Sequence, residues 1–457
     1  MTSTVTHTST PNYSYPSGFK TYGIKNSLRL IFQPLQVLEE NRNDYGDIYF
    51  SPEFGGFPPF IIIGNSQGVE ALFNINPDLL DTSSSNALLK PLLGDRSLIQ
   101  LDGDQHQKRR KLLMPSFHGQ RLQSYGNIIT DITQNILNHW SKSQTFPMRK
   151  ITQEISLKVI LRAVFGLNLG ERYQDLGRSF TDFLDLFNSP LHTMTLFYPS
   201  LQKDWGKWTP WGQFQAYKRD VYHRLEQEIR QHQQGSDSED ILSLLLSTVD
   251  EEGNHLSQEE IMDELVTLLF AGHETTASTL AWAFYWIHSQ PEVYQNLMAE
   301  LDSININSDP MMIAKLPYLS AVVSESLRIY PSVLFTFGRK LKTDLHFLDY
   351  YLPKETAIIP CIYLLHHHLD IYPNSKQFQP ERFLERQFSP YEFIPFGGSN
   401  RRCLGYALAL YEMKLVLATV LKQVKLALVN NKEILPIRRG FTMSPAGGVK
   451  MRVIQHY

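Results

Sequence analysis

The stretch Phe396-Gly-Gly-Ser-Asn-Arg-Arg-Cys-Leu-Gly405 places one of only two cysteines between a pair of arginines and a glycine, just ahead of a long apolar run. Neighbouring cations and the amino end of a helix favour the thiolate, the metal-ligating form of cysteine. A haem iron accepts His, Met, Tyr or a cysteine thiolate as axial donor, and the thiolate favours O–O cleavage. A glycine-rich turn can present N–H groups to such a sulfur, because glycine reaches backbone conformations closed to other residues. Phe396 can cover the sulfur side of a flat cofactor, and Arg401 can reach a cofactor carboxylate. The plain alternative for Cys403 is a structural cysteine in a glycine turn.

Three further constellations carry chemistry. In Leu268-Leu-Phe-Ala-Gly-His-Glu-Thr-Thr-Ala277, a glycine inside an apolar helix costs about 1 kcal/mol relative to Ala. A compensating gain is expected. Thr275 can donate back to the carbonyl of residue 271, which bends or widens a helix and opens a groove for O2 and water. Glu274 and Thr275 would then relay protons there. The competing reading is a packing notch of small residues. Glu325 and Arg328 share a helix face among apolar neighbours, which suggests a buried network needing further partners rather than a surface pair. Arg382, in Phe378-Gln-Pro-Glu-Arg-Phe383, offers one. His106 and Arg110 stand at i, i+4 on one helix face, where they suit cofactor carboxylates. Lys108, Arg109 and Lys111 read as solvated charge, or with Arg402 and Lys414 as a basic face for an acidic electron donor. His273 reads as a filler, His366-His-His as structural, and Cys361 as a small core residue.

Together these segments resemble the cytochromes P-450, the haem-thiolate monooxygenases. The cysteine loop is similar to their pattern F-x-x-G-x-R-x-C-x-G at Phe396, Arg401, Cys403 and Gly405. Ser399 stands where the pattern has Gly, and Gly397 and Gly398 are expected to absorb the difference. AGHETT resembles the family's oxygen-activating helix, and the resemblance runs from about residue 16 to 455. It implies haem b with Cys403 as axial ligand of the iron. It places His106, Arg110, Arg339 and Arg401 on the propionates, with Phe396 and Ala271 against the cofactor. Thr275 and Glu274 would deliver protons, and Glu325, Arg328 and Arg382 would form a structural triad beneath the loop. Substrate contacts would come from Leu269, Phe270, Val333, Leu334, Phe335, Phe337, Thr442 and Met443, with the 81–100 loop and the 183–212 stretch as further walls. The activity implied is hydroxylation or epoxidation by O2 of an apolar, lipid-like molecule: a fatty acid, an alkane or a terpenoid. Electrons would come from a separate donor, a ferredoxin with its reductase. The wording is similar to cyanobacterial and fatty-acid-oxidising members. A peroxygenase or hydroperoxide isomerase would share the loop, but the Glu274-Thr275 pair disfavours it. A haem-based sensor or binding protein is the other alternative.

The elements that must position these groups are mostly helical. Helical patterning recurs near 104–117, 120–142, 151–166, 174–188, 213–235, 239–249, 257–290, 314–329 and 403–424, with short strands within 46–72, 333–360 and 425–457. Three prolines keep 183–212 from being one helix. Its Trp205, Trp208 and Trp211 read as an entrance lid, with packing inside the lid preferred over contact with a membrane. Strands do not alternate with helices, which disfavours a Rossmann fold. The expected architecture is mainly α with a small β subdomain (α+β), the cytochrome P-450 fold. A flexible segment 1–18 would precede a single domain 19–457. A 42% hydrophobic content supports a large core, and a net charge of −3 argues against nucleic-acid binding. Two cysteines without a signal peptide fit the cytoplasm, and no apolar run is long enough for a membrane span.

Overall fold

A computed structural model describes residues 13–19, 29–52, 59–167, 170–235, 240–249, 253–305 and 308–457. Helix α1 (Pro34–Tyr45) leads into β1 (Ile48–Ser51) and β2 (Phe60–Ile63). There follow α2 (Ser66–Phe73), β3 (Leu80–Asp81), α3 (Gly103–Leu113), α4 (Gly119–Leu137), β4 (Thr145–Pro147) and α5 (Met148–Phe165). The middle of the chain is helical: α6 (Glu171–Asp185), α7 (Pro190–Phe197), α8 (Pro210–Gln233), α9 (Ile241–Ser247), α10 (Gln258–Ser289), α11 (Pro291–Asp302) and α12 (Pro317–Ile329). Strands β5 (Arg339–Leu341), β6 (Leu345–Phe347), β7 (Tyr350–Leu352) and β8 (Ala357–Pro360) precede the last long helix, α13 (Tyr406–Gln423). The chain closes with β9 (Val424–Leu428), β10 (Pro436–Arg439), β11 (Thr442–Pro445) and β12 (Lys450–His456).

The largest sheet has the order β1-β2-β8-β5-β3, and β8 lies parallel to β2 in register Ile61 to Ile358. The alternating Ile side chains of β2 feed a core cluster distinct from the main helical one. Of the segment expected to be flexible, residues 1–12 lie outside the described residues. Within 13–18, Ser14 N–H donates to Tyr351 O (3.0 Å) and Phe50 N–H to Ser17 O (2.9 Å).

Helix α10 is the axis of the fold. Ser257 and Glu260 form a capping box at its start, satisfying backbone donors that would otherwise be orphaned. Its 32 residues span about 48 Å. It lies along α5 and also touches α12, α13 and β11. Proline punctuates the rest. Pro190, Pro210, Pro291 and Pro317 each open a helix, where the missing N–H costs nothing. The 183–212 stretch is accordingly broken into the end of α6, α7, two short 3-10 turns and the start of α8.

The carboxylate of Glu325 and the guanidinium of Arg328, both fully buried, pair through two hydrogen bonds of 2.6 and 2.8 Å. Arg382 reaches the same carboxylate at 3.2 Å, and Gln379 N–H donates to it at 2.8 Å. Arg328 also donates to His366 O (2.8 Å) and Gln377 O (3.2 Å) and lies over the Tyr372 ring. One helix thereby holds the segment 366–382 through charge-assisted bonds. Arg109, expected to be solvated, is instead buried and pairs with Glu260 at 2.6 Å and Glu264 at 3.4 Å, tying α3 to α10.

Glu412 of α13 is a different kind of buried acid. Among the described residues its one hydrogen-bond partner is the Ser156 hydroxyl of α5, and burial pushes its pKa up to about 8.

Two predictions follow from these buried charges. Arg328→Ala leaves Glu325 buried without its main partner and should cost roughly 3–5 kcal/mol in equilibrium unfolding. Because Glu412 holds its proton in the fold up to about pH 8 but releases it near its ordinary 4.5 when unfolded, its contribution is complete below that value and declines as pH rises toward 8. Glu412→Gln should therefore flatten stability against pH across that interval, as read by thermal melting.

Candidate active site

The Cys403 loop has no regular structure between a 3-10 turn at Ser399–Arg401 and the start of α13 at Tyr406. It is closed by Cys403 N–H donating to Phe396 O (2.9 Å), Gly397 N–H to Ile394 O (2.9 Å) and Arg402 N–H to Ser399 O (3.3 Å). A Cβ on Gly398 would collide with the Phe73 ring. Gly397 has φ +65°, and Ser399 itself takes φ +55°, so the flanking glycines do not absorb the missing Gly as expected. The Ser399 hydroxyl donates to Phe73 O at 3.1 Å, which partly offsets the left-handed backbone. Upstream, Ile394 N–H donates to His366 Nε2 (3.0 Å), and the His366 ring stacks on Phe393. The neighbouring rings go elsewhere, His367 Nδ1 to Tyr363 O and His368 Nε2 to Asp47, so the three histidines do not converge.

The sulfur of Cys403 opens onto a cavity of about 490 Å³. The Gly405 N–H, Arg110 and Arg402 all favour its thiolate, yet burial outweighs them and raises the thiol's pKa. A bound metal ion is what makes such a thiol an anion outright.

Beside it lies a buried cluster of positive charge. Arg339, Arg401 and His106 are nearly inaccessible to solvent, and Arg110 is half-buried. Burial and the three neighbouring arginines push His106 down to about 3, and Arg339 is lowered to about 10 by burial and Arg401. The carboxylate bonded to this cluster is Asp102, which accepts from Arg401 and from Thr82 N–H (2.8 Å), and Asp81 adds negative charge from further off. Arg401 Nε stays buried without a hydrogen-bond partner. Among the described residues only Arg401 of the three guanidiniums has a carboxylate ion-paired to it, which leaves room for more negative charge, so the residues fit a haem, whose propionates would supply it. Asp102 was not foreseen, because its partner Arg401 lies 299 residues further along the chain.

On α10, Ala271, Thr275 and Thr279 face the cavity. Thr275 Oγ1 donates to Ala271 O at 2.9 Å as expected, but the helix runs on as α-helix with no break. A Cβ on Gly272 would come within 2.8 Å of Ile160 Cδ1 of α5, so close helix packing accounts for the glycine. The carbonyl of Thr275 accepts from Thr279 (3.0 Å) and Ser332 (2.9 Å). Glu274 pairs with Arg149, and Arg439 Nε stands 3.6 Å away. His273 is fully buried, with Nδ1 3.0 Å from Leu269 O and its ring edge-on to Phe180.

Of the expected substrate contacts, Phe270, Val333, Leu334, Phe335, Phe337 and Thr442 line the cavity. Leu269 and Met443 do not. Leu269 points into the core between α10 neighbours, and Met443 follows Thr442 on a strand, so its side chain faces the opposite way. The cavity also takes in Glu264, Thr267 and Leu268. Their spacing before Ala271 is the helix period, a signal that was legible. Burial raises Glu264 to about 7. In the lid, Trp211 is buried and stacks on Phe214 (4.8 Å), whereas Trp205 and Trp208 face outward, against expectation.

The Ser399 conformation yields a test. Ser399→Gly should leave stability within about 1 kcal/mol of the parent, since strain relief and the lost hydrogen bond oppose each other. Ser399→Val, branched at a positive φ, should lower it by about 2 kcal/mol or more, as measured by chemical unfolding.

The geometry agrees with comparison to known proteins. The family model described as Cytochrome P450 matches residues 16–450. "Putative cytochrome P450 135B1" of Mycobacterium tuberculosis is 30% identical over 447 residues, 97% of this chain and 92% of that one. "Putative cytochrome P450 138" of the same species is 31% identical over 391 residues, 85% of each. Among solved structures, a retinoic acid-bound cyanobacterial CYP120A1 superposes with TM-score 0.85, covering 98% of this chain and 100% of that one at 24% identity, a likeness of fold. With its cysteine loop, cation cluster and axial helix arranged around one cavity, the chain belongs to the cytochrome P450 family, whose members are haem-thiolate monooxygenases.

Proposed function

We propose that this P450 monooxygenase hydroxylates or epoxidises an apolar, lipid-like substrate, a terpenoid or fatty acid in preference to a polar metabolite. The observation that carries this is a cavity onto which Cys403 and Thr275 both open and whose wall is mainly apolar, with Leu and Phe its commonest residues. Phe270 meets Phe441 edge to face along it and Phe187 packs tilted on the same ring, presenting apolar ring surface to a ligand. Retinoic acid, named for the cyanobacterial structure of like fold, is an isoprenoid acid of this general kind.

Haem held by Cys403 supplies the reductive activation of O2. The chain's part is to hold it, exclude water and deliver protons. Arg110, Arg339, Arg401 and His106 would hold the propionates. Thr275 Oγ1, with its own proton engaged by Ala271 O, keeps its lone pairs available to accept and pass a proton at the cavity surface. Glu274 is the nearest carboxylate in sequence, and its ion pair with Arg149 has to loosen before it can resupply Thr275. Electrons would come from a ferredoxin with its reductase, docking where Arg402, Lys108 and Lys111 are exposed. Arg402 lies over the Tyr406 ring at 4.0 Å, which keeps its charge at that surface.

The test is coupling. Thr275→Ala should retain haem and the red-shifted carbon monoxide band of a thiolate-ligated iron, while at least about half of the electrons consumed go to peroxide or water. Equal product per electron in variant and parent would rule Thr275 out of proton delivery. A reduced carbon monoxide complex without the red shift would rule out Cys403 ligation.

A further inference from the structure

Helix α10 brings a second acid to the cavity, one the catalytic reading leaves unused. Glu264, Leu268, Ala271 and Thr275 stand at i, i+4, i+7 and i+11, on one face of the helix, and all four line the cavity. Thr267 lines it too, one turn from Glu264. Glu264 is fully buried and Thr267 is 4% exposed. Among the described residues, Glu264 Oε1 and Thr267 Oγ1 have no hydrogen-bond partner. Their neighbours differ. Thr275 and Thr279 donate to the carbonyl four residues back, and Thr267 does not. Asp263, the adjoining carboxylate, has both oxygens engaged, by Arg96 N–H (3.0 Å) and the Tyr222 hydroxyl (3.3 Å). Glu264 has only Oε2 engaged, by Leu98 N–H (3.0 Å) and by Arg109 at 3.4 Å. Arg109 lies nearer Glu260, at 2.6 Å, so its charge is shared between two acids. A buried polar atom without a partner costs free energy until something bonds to it.

We propose that Glu264 and Thr267 anchor a hydroxyl group of the substrate, at the end of the molecule remote from the carbon that is oxidised. This rests on the apolar monooxygenase reading and narrows it to long-chain or isoprenoid alcohols. A hydroxyl both donates and accepts, so it can give its proton to Glu264 Oε1 and a lone pair to Thr267 Oγ1. A carboxylate in the same place would meet Glu264 as a second anion, with the charge of Asp263 close behind. An alkylammonium ion would need Glu264 ionised, whereas burial raises this acid to about 7, and a hydroxyl suits either form. Both free atoms are closed to solvent, so the ligand meets them through a small rotation of the two side chains between staggered positions. At 1.5 Å per residue, Glu264 and Thr275 are about 16 Å apart along the helix axis, so the new oxygen enters far from the one already present.

The experiment is titration of the haem-loaded protein with 1-dodecanol, its methyl ether and dodecanoate, following the haem absorption change on binding. The ether can accept a hydrogen bond but not donate one. The parent should bind the alcohol about tenfold more tightly than the ether, and more tightly still than dodecanoate. Glu264→Gln, which removes the charge and keeps the shape, should cut the advantage over the ether to about threefold or less. Thr267→Val, equal in shape without the hydroxyl, should weaken the alcohol about fivefold. Haem content and the carbon monoxide band should be unchanged in both variants, and a merely structural loss at Glu264 would weaken alcohol and ether alike. Equal affinity of the parent for alcohol and ether overturns the anchor and leaves the apolar reading standing, while failure to bind either overturns both. The anchor is also overturned if dodecanoate binds the parent more tightly than the alcohol, or if Glu264→Gln keeps the parent's full preference.

Discussion

A metal-ligating sulfur has to be held at a fixed point by a loop that no helix or strand can stiffen. The geometry that positions Cys403 is supplied instead by close contacts that converge on its loop. Phe73 of α2 presses on Gly398, leaving no room for a side chain, and receives the Ser399 hydroxyl on its carbonyl. His366 accepts the Ile394 N–H ahead of the loop, while its own carbonyl is held by Arg328. The buried Glu325–Arg328–Arg382 network is therefore connected to the sulfur by a short chain of hydrogen bonds. Its desolvation cost is met by how many partners each charge finds. His366 is suited to this link because burial and the Arg328 charge push it down to about 3, keeping the ring neutral and Nε2 an acceptor.

The distal side is organised by a second constraint, close contact of α10 with α5. Gly272 removes a side chain where Ile160 would meet it, and Arg149 of α5 reaches across to Glu274. The same helix contact thus sets both the height of α10 over the cavity and the ion pair its acid makes. Several polar groups stand on the cavity side of α10, and two of its threonines are satisfied locally: Thr275 and Thr279 each donate four residues back. The Phe and Leu side chains of the surrounding walls make the cavity mainly apolar, which is why the substrate reading is lipid-like. The cation cluster at the other edge, where only Arg401 has an ion-paired carboxylate among the described residues, supplies a charge a bound anion would balance.

How much of this was legible beforehand varies with the range of the interaction. The helices were read closely because their apolar periodicity is local. The α11 helix was missed because Pro291 was read as an end, when proline opens a helix as readily as it stops one. The back-bond of Thr275 and the pairing of Glu325 with Arg328 were also local, three or four residues apart. Misjudged features depended on distant chain. Arg109 was read as solvated because Glu260 and Glu264 lie about 150 residues on, as the separations of 151 and 155 attest. Leu269 and Met443 were assigned to the cavity because motif position says nothing of which way a side chain turns.

By itself, the sequence determined the chemistry on offer: one thiol in a glycine-rich loop, a threonine on a long apolar helix, arginines suited to carboxylates, and a family pattern that orders them. Those depend on residue identity and short spacing, which a linear chain carries in full. Only the tertiary structure decided which groups are charged, paired or exposed. Ser399 takes the left-handed backbone itself, Glu274 is pinned by Arg149, and Trp208 faces out while Trp211 faces in. Burial and ion pairing are properties of neighbours in space, and neighbours exist only once the chain has folded.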